Sequence, residues 1–431
     1  MIHGMNDDAV QQRRQLQQLN RPALISYQLD RLNRLLDHIL PHNSFYAEKL
    51  AGAVRPIASP ADLASLPFTT KEELVGGDVT GLATNLTYAV ADYVRFHHTS
   101  GTHGRPLVVL DTQADWRWWI EAWQYVLDAA ELTADDVCLM AFSFGPFIGF
   151  WSAFDAAAAR GCLVVPGGGL STATRLAQIR TTQTTCLFCT PSYALHMADV
   201  AEQQGMELRE LSVRTVVVAG EPGGSVPAVR RRIETAWDAQ VLDHSGASEI
   251  GPWGFGNLEG PGLFVNEAEF IAEFRSVDTG DPAAEGELAE LVITGLGRSG
   301  CPVIRYRTGD LVRPAWQRPG PLRFVWLEGG VLGRADDMMI IRGVNIFPSS
   351  VDQIVRGFSE VAEYRMTASK QGALDRLEIE IEHPRNDPQD VADALRTQLG
   401  LSVDVRCVPP GSLPRFEAKG RRFIDRRNAA T

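Results

Sequence analysis

Thr215-Val-Val-Val-Ala219 runs into Gly220-Glu-Pro-Gly-Gly-Ser225 and on into a stretch of helical spacing from Val226 to Ala239. A β-branched run closed by Gly and Pro and followed by a helix is one strand, loop and helix unit. Outward from it, Val137-Cys-Leu-Met-Ala-Phe142, Gly161-Cys-Leu-Val-Val165 and Leu288-Ala-Glu-Leu-Val-Ile-Thr294 read as further strands, and Arg175 to Gln183 as a helix. Strands interleaved with helices between residues 93 and 335 predict an α/β sheet. Leu29, Leu32, Leu35, Leu36 and Ile39 carry helical spacing up to Pro41, so residues 1–50 are expected to form a helical cap. After Gly333-Arg-Ala-Asp-Asp337 the pattern changes to Met338-Met-Ile-Ile341, a helix from Pro348, the alternating Leu377-Glu-Ile-Glu-Ile-Glu382, a helix near 387–400 and a basic tail. That is a small α+β domain. A chain of 431 residues exceeds one ordinary core, and the expected domains are 1–334 and 337–431.

Composition narrows the function. A formal charge of −12 leaves no basic footprint for nucleic acid. The N-terminus, Met1-Ile-His-Gly-Met-Asn-Asp-Asp8, shows no basic segment followed by an apolar core, which predicts a cytoplasmic protein. The apolar stretch from Phe142 to Pro166 is broken by Asp155 and Arg160 and reads as core, with no membrane span expected. Six scattered cysteines fit reduced thiols. Cys186-Leu-Phe-Cys189 has redox or zinc spacing, but it sits in an apolar run with no second ligand pair and is read as a buried strand end.

Five short segments carry candidate chemistry. Thr99-Ser100-Gly101-Thr102-His103-Gly104-Arg105-Pro106 follows the strand-like Tyr93-Val-Arg-Phe-His-His98, and its hydroxyls and glycines suit a polyphosphate or an ordinary surface turn. Ala219-Gly220-Glu221-Pro222 lies at the carboxyl end of a strand, where open α/β sheets bind ligands; the alternative is a turn capped by Ser225. In Asp243-His244-Ser245-Gly246-Ala247-Ser248-Glu249, Glu249 can hold Mg²⁺ against phosphate oxygens or be a solvated turn acid. Arg305-Tyr306-Arg307-Thr308-Gly309-Asp310 reads as a strand entering a turn, with Asp310 placed to accept ribose hydroxyls. Lys419, in a basic tail, is either a charge delivered to an α-phosphate or part of a solvated face.

Taken together and in this order, these segments resemble the adenylate-forming acyl ligases, and within them the phenylacetate-CoA ligase family. Leu66-Pro-Phe-Thr-Thr-Lys71, Gly343-Val-Asn-Ile-Phe-Pro348 and Leu413-Pro-Arg followed by Glu417 and Lys419 add to the likeness, which spans almost the whole chain. The resemblance implies a large N-terminal α/β adenylation domain and a small α+β C-terminal domain joined by a hinge at Asp336. It implies ATP, Mg²⁺ and coenzyme A, and a two-step reaction: a carboxylate takes AMP from ATP, and a thiol then takes the acyl group. Lys419, Glu249 and Asp310 would be catalytic. Thr99, Ser100, Gly101, Thr102, Gly104, Ala219, Gly220, Glu221, Pro222, Ser248, Asp310 and Arg334 would bind ATP, with Glu249 on the metal. Arg342, Gly343, Val344 and Asn345 would reach coenzyme A after the small domain rotates.

The acyl site implied by the resemblance is lined by Phe144, Gly145, Phe147, Phe150, Ala219, Gly220, His244, Ser245 and Gly246. These rings predict an aromatic carboxylate substrate; the alternative is that they fill the core, which is the expectation for Phe142 and Trp151. Several residues depart from the family pattern. His103 replaces a Thr, Ser245 stands where an aromatic commonly stacks on adenine, and Phe150 occupies a position that is often Gly. Phe416 and Ala418 replace the small residue and Gly around the lysine, and 320–330 lacks the cysteines of many relatives, so no zinc is expected. The expected activity is an aryl-CoA ligase. An aryl acid adenylating enzyme that passes its acyl group to a carrier-protein thiol or an amine is the alternative, and a catalytically silent nucleotide-binding protein is the second. The resemblance leaves a homodimer open.

Overall fold

The computed structural model describes residues 2–75, 81–99, 106–317, 320–337, 339–341, 344–358, 360–371, 374–385, 387–399, 401–414 and 422–427, without the side chains of 2–7, 340, 345, 349, 353, 371 and 374. The chain opens with helices α1 (Ile2–Gln17), α2 (Arg21–Ile39), α3 (Ser44–Lys49), α4 (Pro60–Ala64) and α5 (Lys71–Leu74). Asn20 caps α2 by accepting from the Ala23 N–H, and the leucine stripe read from the sequence packs on Ile271, Leu296 and Ile304. Strands β1 (Arg95–His98) and β2 (Val108–Asp111) form an antiparallel pair around the hydroxyl-rich segment.

Next come α6 (Gln113–Ala129), β3 (Val137–Met140), α7 (Ile148–Arg160), β4 (Leu163–Pro166), α8 (Thr172–Thr182), β5 (Cys186–Cys189), α9 (Pro191–Gln203), β6 (Thr215–Ala219), α10 (Pro227–Trp237), β7 (Gln240–Ala247), β8 (Gly251–Phe255) and β9 (Leu263–Val265). They are followed by β10 (Phe270–Ser276), β11 (Ala289–Gly295), β12 (Tyr306–Val312), β13 (Pro314–Ala315), β14 (Trp326–Leu327) and β15 (Gly333–Arg334). Nine strands form the main sheet in the order β13-β14-β9-β8-β7-β6-β5-β3-β4. From β4 to β7 neighbours are parallel, and beyond β7 they are antiparallel. Alternate residues of the parallel strands face two different helical layers. Met140, Phe188, Val217 and Leu242 join the cluster that contains Trp116, Trp119 and Trp123 of α6. Leu139, Leu187, Val216, Val218 and Val241 join the one built on α8, α9 and α10. Sheet β10-β11-β12-β15 lies beside this layer.

The smaller C-terminal domain has its own core. Hairpin β16 (Met339–Ile341) and β17 (Val344–Ile346) leads to α11 (Pro348–Arg356), β18 (Glu363–Gln371), β19 (Leu374–Glu382), α12 (Gln389–Leu399), β20 (Asp404–Val408) and β21 (Phe423–Asp425). The apolar half of the 377–382 alternation, Leu377, Ile379 and Ile381, packs with Val351, Val355, Val391 and Leu395. Helix α11 rests against α10 and β15 of the large domain. Among the described residues all cysteines are free thiols, and no helix is long and apolar enough to cross a membrane.

Candidate active site

The loop after β6 is glycine-rich for reasons the structure makes specific. Gly220 has φ of +91°, in the left-handed region. A Cβ on Gly224 would fall 2.6 Å from both Asp243 Oδ1 and Val218 Cγ2. Asp243 is fully packed there: the Ser225 hydroxyl donates to its Oδ2, and the Gly262 N–H donates to the same hydroxyl at 3.1 Å. Burial pushes the Asp243 carboxyl up to about 6, against the lowering effect of these bonds. Glu221 turns toward α9 and accepts from the Ser192 N–H at 2.7 Å, next to the end of Ala219-Gly220.

Strand β7 continues through Ser245 and Gly246, which the sequence reading placed in a turn. The extension is imposed by β8, which pairs with it antiparallel through a bulge between Ser245 and Ala247. Ser248 and Glu249 then form the turn itself, and Glu249 is buried, not solvated, at 9% exposure. Its Oε1 accepts from the Tyr306 hydroxyl at 2.9 Å. Its other oxygen has no hydrogen-bond partner among the described residues. Ser248 is fixed through its carbonyl, which accepts from Arg298 Nη1 at 2.9 Å. Arg298 is itself buried and pairs with Asp111 on β2 at 2.8 Å, so one guanidinium ties the Ser248 turn to the strand that leaves the hydroxyl-rich segment.

Asp310 lies within β12, whereas the sequence suggested a turn after the strand; Gly309, at φ of +73°, kinks the strand without ending it. In the β12–β15 register Asp310 faces Arg334. Arg334 Nη1 donates to Asp310 Oδ1 at 3.1 Å and to the Thr308 carbonyl at 2.7 Å, and its Nε donates to Asp336 at 2.9 Å. Both carboxylates and burial act on this guanidinium, and the net effect strengthens its hold on its proton. Tyr306, between the two carboxylates, has its phenol pushed far up by burial first and then by Glu249. It therefore stays a donor to Glu249. Arg305, the first residue of this segment, is structural: it is 2% exposed, pairs with Glu273 at 2.7 Å and donates to the carbonyls of Ala64 and Leu66. Thr69 bridges to the same strand through the Arg305 carbonyl and the Arg307 N–H, both at 2.9 Å. That accounts for Leu66-Pro-Phe-Thr-Thr-Lys71.

Thr99 closes the base of its loop, its hydroxyl accepting from the Leu107 N–H at 3.0 Å. Ser100, Gly101, Thr102, His103 and Gly104 lie outside the described residues, as do Arg342, Gly343, Phe416, Ala418 and Lys419. Val344 and the backbone of Asn345 sit on β17, opposite Ile341 and Ile340.

The acyl candidates other than Ser245 gather on the α6–α7 side of the main sheet at the carboxyl ends of its strands. Phe142 stacks on Phe150 with centroids 4.3 Å apart, Phe144 meets Trp151 at 5.0 Å, and Phe147 meets Phe150 at 6.3 Å and His98 at 5.6 Å. The Pro146 carbonyl accepts from the His98 N–H at 3.0 Å, so this segment is tied to the strand entering the hydroxyl-rich loop. His244 lies beside Ala219 in the β6–β7 register, its ring 4.2 Å from Trp123. Ser245 points the other way, toward the Gly254 side of the strand.

The sequence alone assigns Tyr306 no role and does not single out Arg298 or Trp123. Trp116, Trp119 and Trp123 recur at helical spacing, a signal for a ring stripe on α6. Nothing local marks Arg298, whose partners are 50 and more residues away.

Residues 82–297 match the AMP-binding enzyme family and residues 343–427 the AMP-binding enzyme C-terminal domain. The chain is 32% identical over 430 residues to a phenylacetate-coenzyme A ligase of Pseudomonas putida, covering 95% of each chain. It is 32% identical over 428 residues to that of Escherichia coli (strain K12), covering 94% of this chain and 95% of the other. Among solved structures it matches a 2-hydroxyisobutyryl-CoA ligase at 26% identity. In the postadenylation state the TM-score is 0.87, covering 95% of this chain and 91% of that one. With CoA in the thioesterification state it is 0.71, covering 96% and 92%. An α/β sheet and a neighbouring four-stranded sheet that meet at the Glu249–Tyr306 and Asp310–Arg334 pairs, a separate small domain, and 32% identity over 95% of the chain together place it: it belongs to the AMP-binding enzymes and, among them, to the phenylacetate-coenzyme A ligase family.

Proposed function

We propose that the protein activates an aromatic carboxylic acid with ATP and transfers the acyl group to coenzyme A. In the first step a carboxylate oxygen bonds to the α-phosphorus, the bond to the β-phosphate bridging oxygen breaks, and pyrophosphate leaves. In the second the thiol sulfur bonds to the acyl carbon, AMP leaves with the electron pair of the broken C–O bond, and the thiol proton goes to solvent. The observation that carries this reading is the pair of oriented carboxylates where the main sheet meets the four-stranded one: Glu249 held by the Tyr306 hydroxyl and Asp310 held by Arg334.

Asp310 presents acceptors for the ribose hydroxyls, with Arg334 fixing the carboxylate in place. Ala219, Gly220, Glu221, Pro222 and Ser248 border the nucleotide, and the loop Thr99, Ser100, Gly101, Thr102 and Gly104 contacts the phosphates. The residues present suit Mg²⁺, because a cation that keeps waters and phosphate oxygens needs one carboxylate, and Glu249 has an oxygen left after its bond to Tyr306. Mg²⁺ bound there would neutralise charge on the departing pyrophosphate. Lys419 serves the first step as a point charge for the α-phosphate and acyl oxygens. The small domain, residues 337–431, pivots at Asp336, and its Arg342 to Asn345 segment meets coenzyme A in the second step. The better match to one relative's postadenylation state than to its thioesterification state supports reading the present orientation as the one of the first half-reaction. On α11, Arg356 lies within electrostatic reach of Glu221 and Arg232 of the large domain in this orientation.

The test is ATP–pyrophosphate exchange with benzoate, phenylacetate and their ring-substituted analogues, repeated with coenzyme A and detection of the thioester by mass. Exchange plus thioester with an aryl acid is expected. Exchange without thioester would direct the acyl group to a carrier-protein thiol or an amine, and no exchange with any acid would overturn the reading.

A further inference from the structure

His244 is 7% exposed, and one side of its ring is fully assigned. Its Nδ1 lies 2.8 Å from the Gly254 carbonyl. A carbonyl only accepts, so Nδ1 carries the proton and Nε2 presents a lone pair. Burial lowers the imidazole to about 4, which keeps it neutral at physiological pH. Nε2 has no hydrogen-bond partner among the described residues. Trp123 cannot supply one, because its indole N–H donates to the Ser152 hydroxyl at 2.9 Å. The Nε2 edge is directed along the strand toward Gly246, where a Cβ would lie 3.4 Å from it. Gly246 is exposed, so the lone pair meets the open end of the sheet.

The surroundings set the ligand. On the same face, between His244 on β7 and Phe142 beyond β3, stand the ends of β6 and β5 with Ala219 and Thr190. Three strand spacings give a floor about 14 Å wide, bounded by Trp123 at one side and by the Phe142–Phe150 stack at the other. An aryl ring fits that floor. An unsubstituted ring leaves the Nε2 acceptor desolvated and unpaired, whereas an O–H or N–H on the ring satisfies it.

We infer that His244 selects an aromatic acid that carries a hydroxyl or amino donor on its ring, accepting that donor at Nε2. The inference rests on the aryl-acid reading above and names the substrate class of its acyl site. It is tested by kcat/KM for AMP release in the presence of coenzyme A, using ring-matched triplets: the unsubstituted acid, its hydroxyl or amino derivative, and the methoxy derivative, in ortho, meta and para series. In the wild-type enzyme the best donor-bearing isomer should exceed both of its partners by about 10- to 100-fold. In His244→Leu that preference should shrink to within about threefold, since the acceptor is gone. A wild-type preference for the unsubstituted or methoxy acid overturns the inference whether or not the variant folds, and so does a donor preference that survives His244→Leu. If no aryl acid releases AMP, the aryl-acid reading itself fails and this one falls with it. Turnover of aryl acids without a donor preference removes only the role given to His244.

Discussion

Asp243 and His244 are neighbours in sequence and opposites in structure. Asp243 faces the α8–α10 layer, where Ser225, tied in turn to Gly262, closes around it. His244 faces the α6–α7 layer, satisfied on one nitrogen only. Burial acts on both and pushes their titrations in opposite directions, Asp243 up to about 6 and His244 down to about 4. One strand thus buries two ionisable groups, and the one whose polar atoms are all used holds a loop in place, while the one with an atom to spare faces the open sheet end. On the reading proposed above, the two faces divide scaffold from substrate contact.

The strongest test of that division lies just beyond it. Glu249 ends the turn that follows both faces, so Glu249→Gln should lower AMP formation by about 100- to 1,000-fold for every acid alike. A loss confined to one acid would show that Glu249 reads the acyl group and would break the comparison. The pH dependence of stability tests it next. Between about pH 4 and pH 6 the native state keeps a proton on Asp243 that the unfolded chain has released, so this residue lowers stability as pH rises through the window. His244 does the reverse: the unfolded chain takes up a proton below about pH 6.5 that the native imidazole refuses until about pH 4, so stability rises with pH. The two slopes nearly cancel in the wild type. Urea denaturation from about pH 4.5 to pH 6 should show Asp243→Asn gaining stability with pH relative to wild type, and His244→Leu losing it, each by about 2 kcal/mol. Slopes of the same sign would refute the opposition.

A smaller effect is expected where the ring face meets α7. Phe150 stacks on Phe142, and Phe150→Ala should raise kcat/KM for naphthoates relative to benzoates by about tenfold through added room. The ATP dependence should stay as it is in the wild type. An equal change for both acids would assign Phe150 to core packing.

The parts of this arrangement that rest on local pattern were legible in the sequence. Thr215 to Ala219 is β-branched and bounded by glycine, and Leu377, Ile379 and Ile381 alternate with glutamates, so strands were read at both places. Ser245 and Gly246 carry no strand preference of their own; β6 pairs with β7 only as far as His244, and they are extended because β8 pairs on either side of them, whereas local composition predicts a turn. Burial of Glu249 was hidden for a similar reason. The side chain that covers it comes from Tyr306, 57 positions away, in a different sheet. The His244 tautomer depends on a carbonyl ten residues on, across the bulged β7–β8 pair. Chemistry-bearing residues were found; their partners, set by strand order, were not.

Tyr306 gives the smallest of these effects and joins the ATP side to the comparison. Its hydroxyl orients Glu249 without being a ligand itself, and Phe keeps the ring that fills the seam between the two sheets. Tyr306→Phe removes one hydrogen bond to a carboxylate, and about 1 kcal/mol is lost when such a bond can be replaced by water. AMP formation should therefore fall by roughly five- to tenfold, with the Mg²⁺ concentration for half-maximal rate raised and the ranking of acids kept. A change in the ranking would mean that the Glu249 turn and the ring face of β7 move together. The division between the faces would then end at Ser245, where β7 still pairs with Gly254 of β8, and not at the turn.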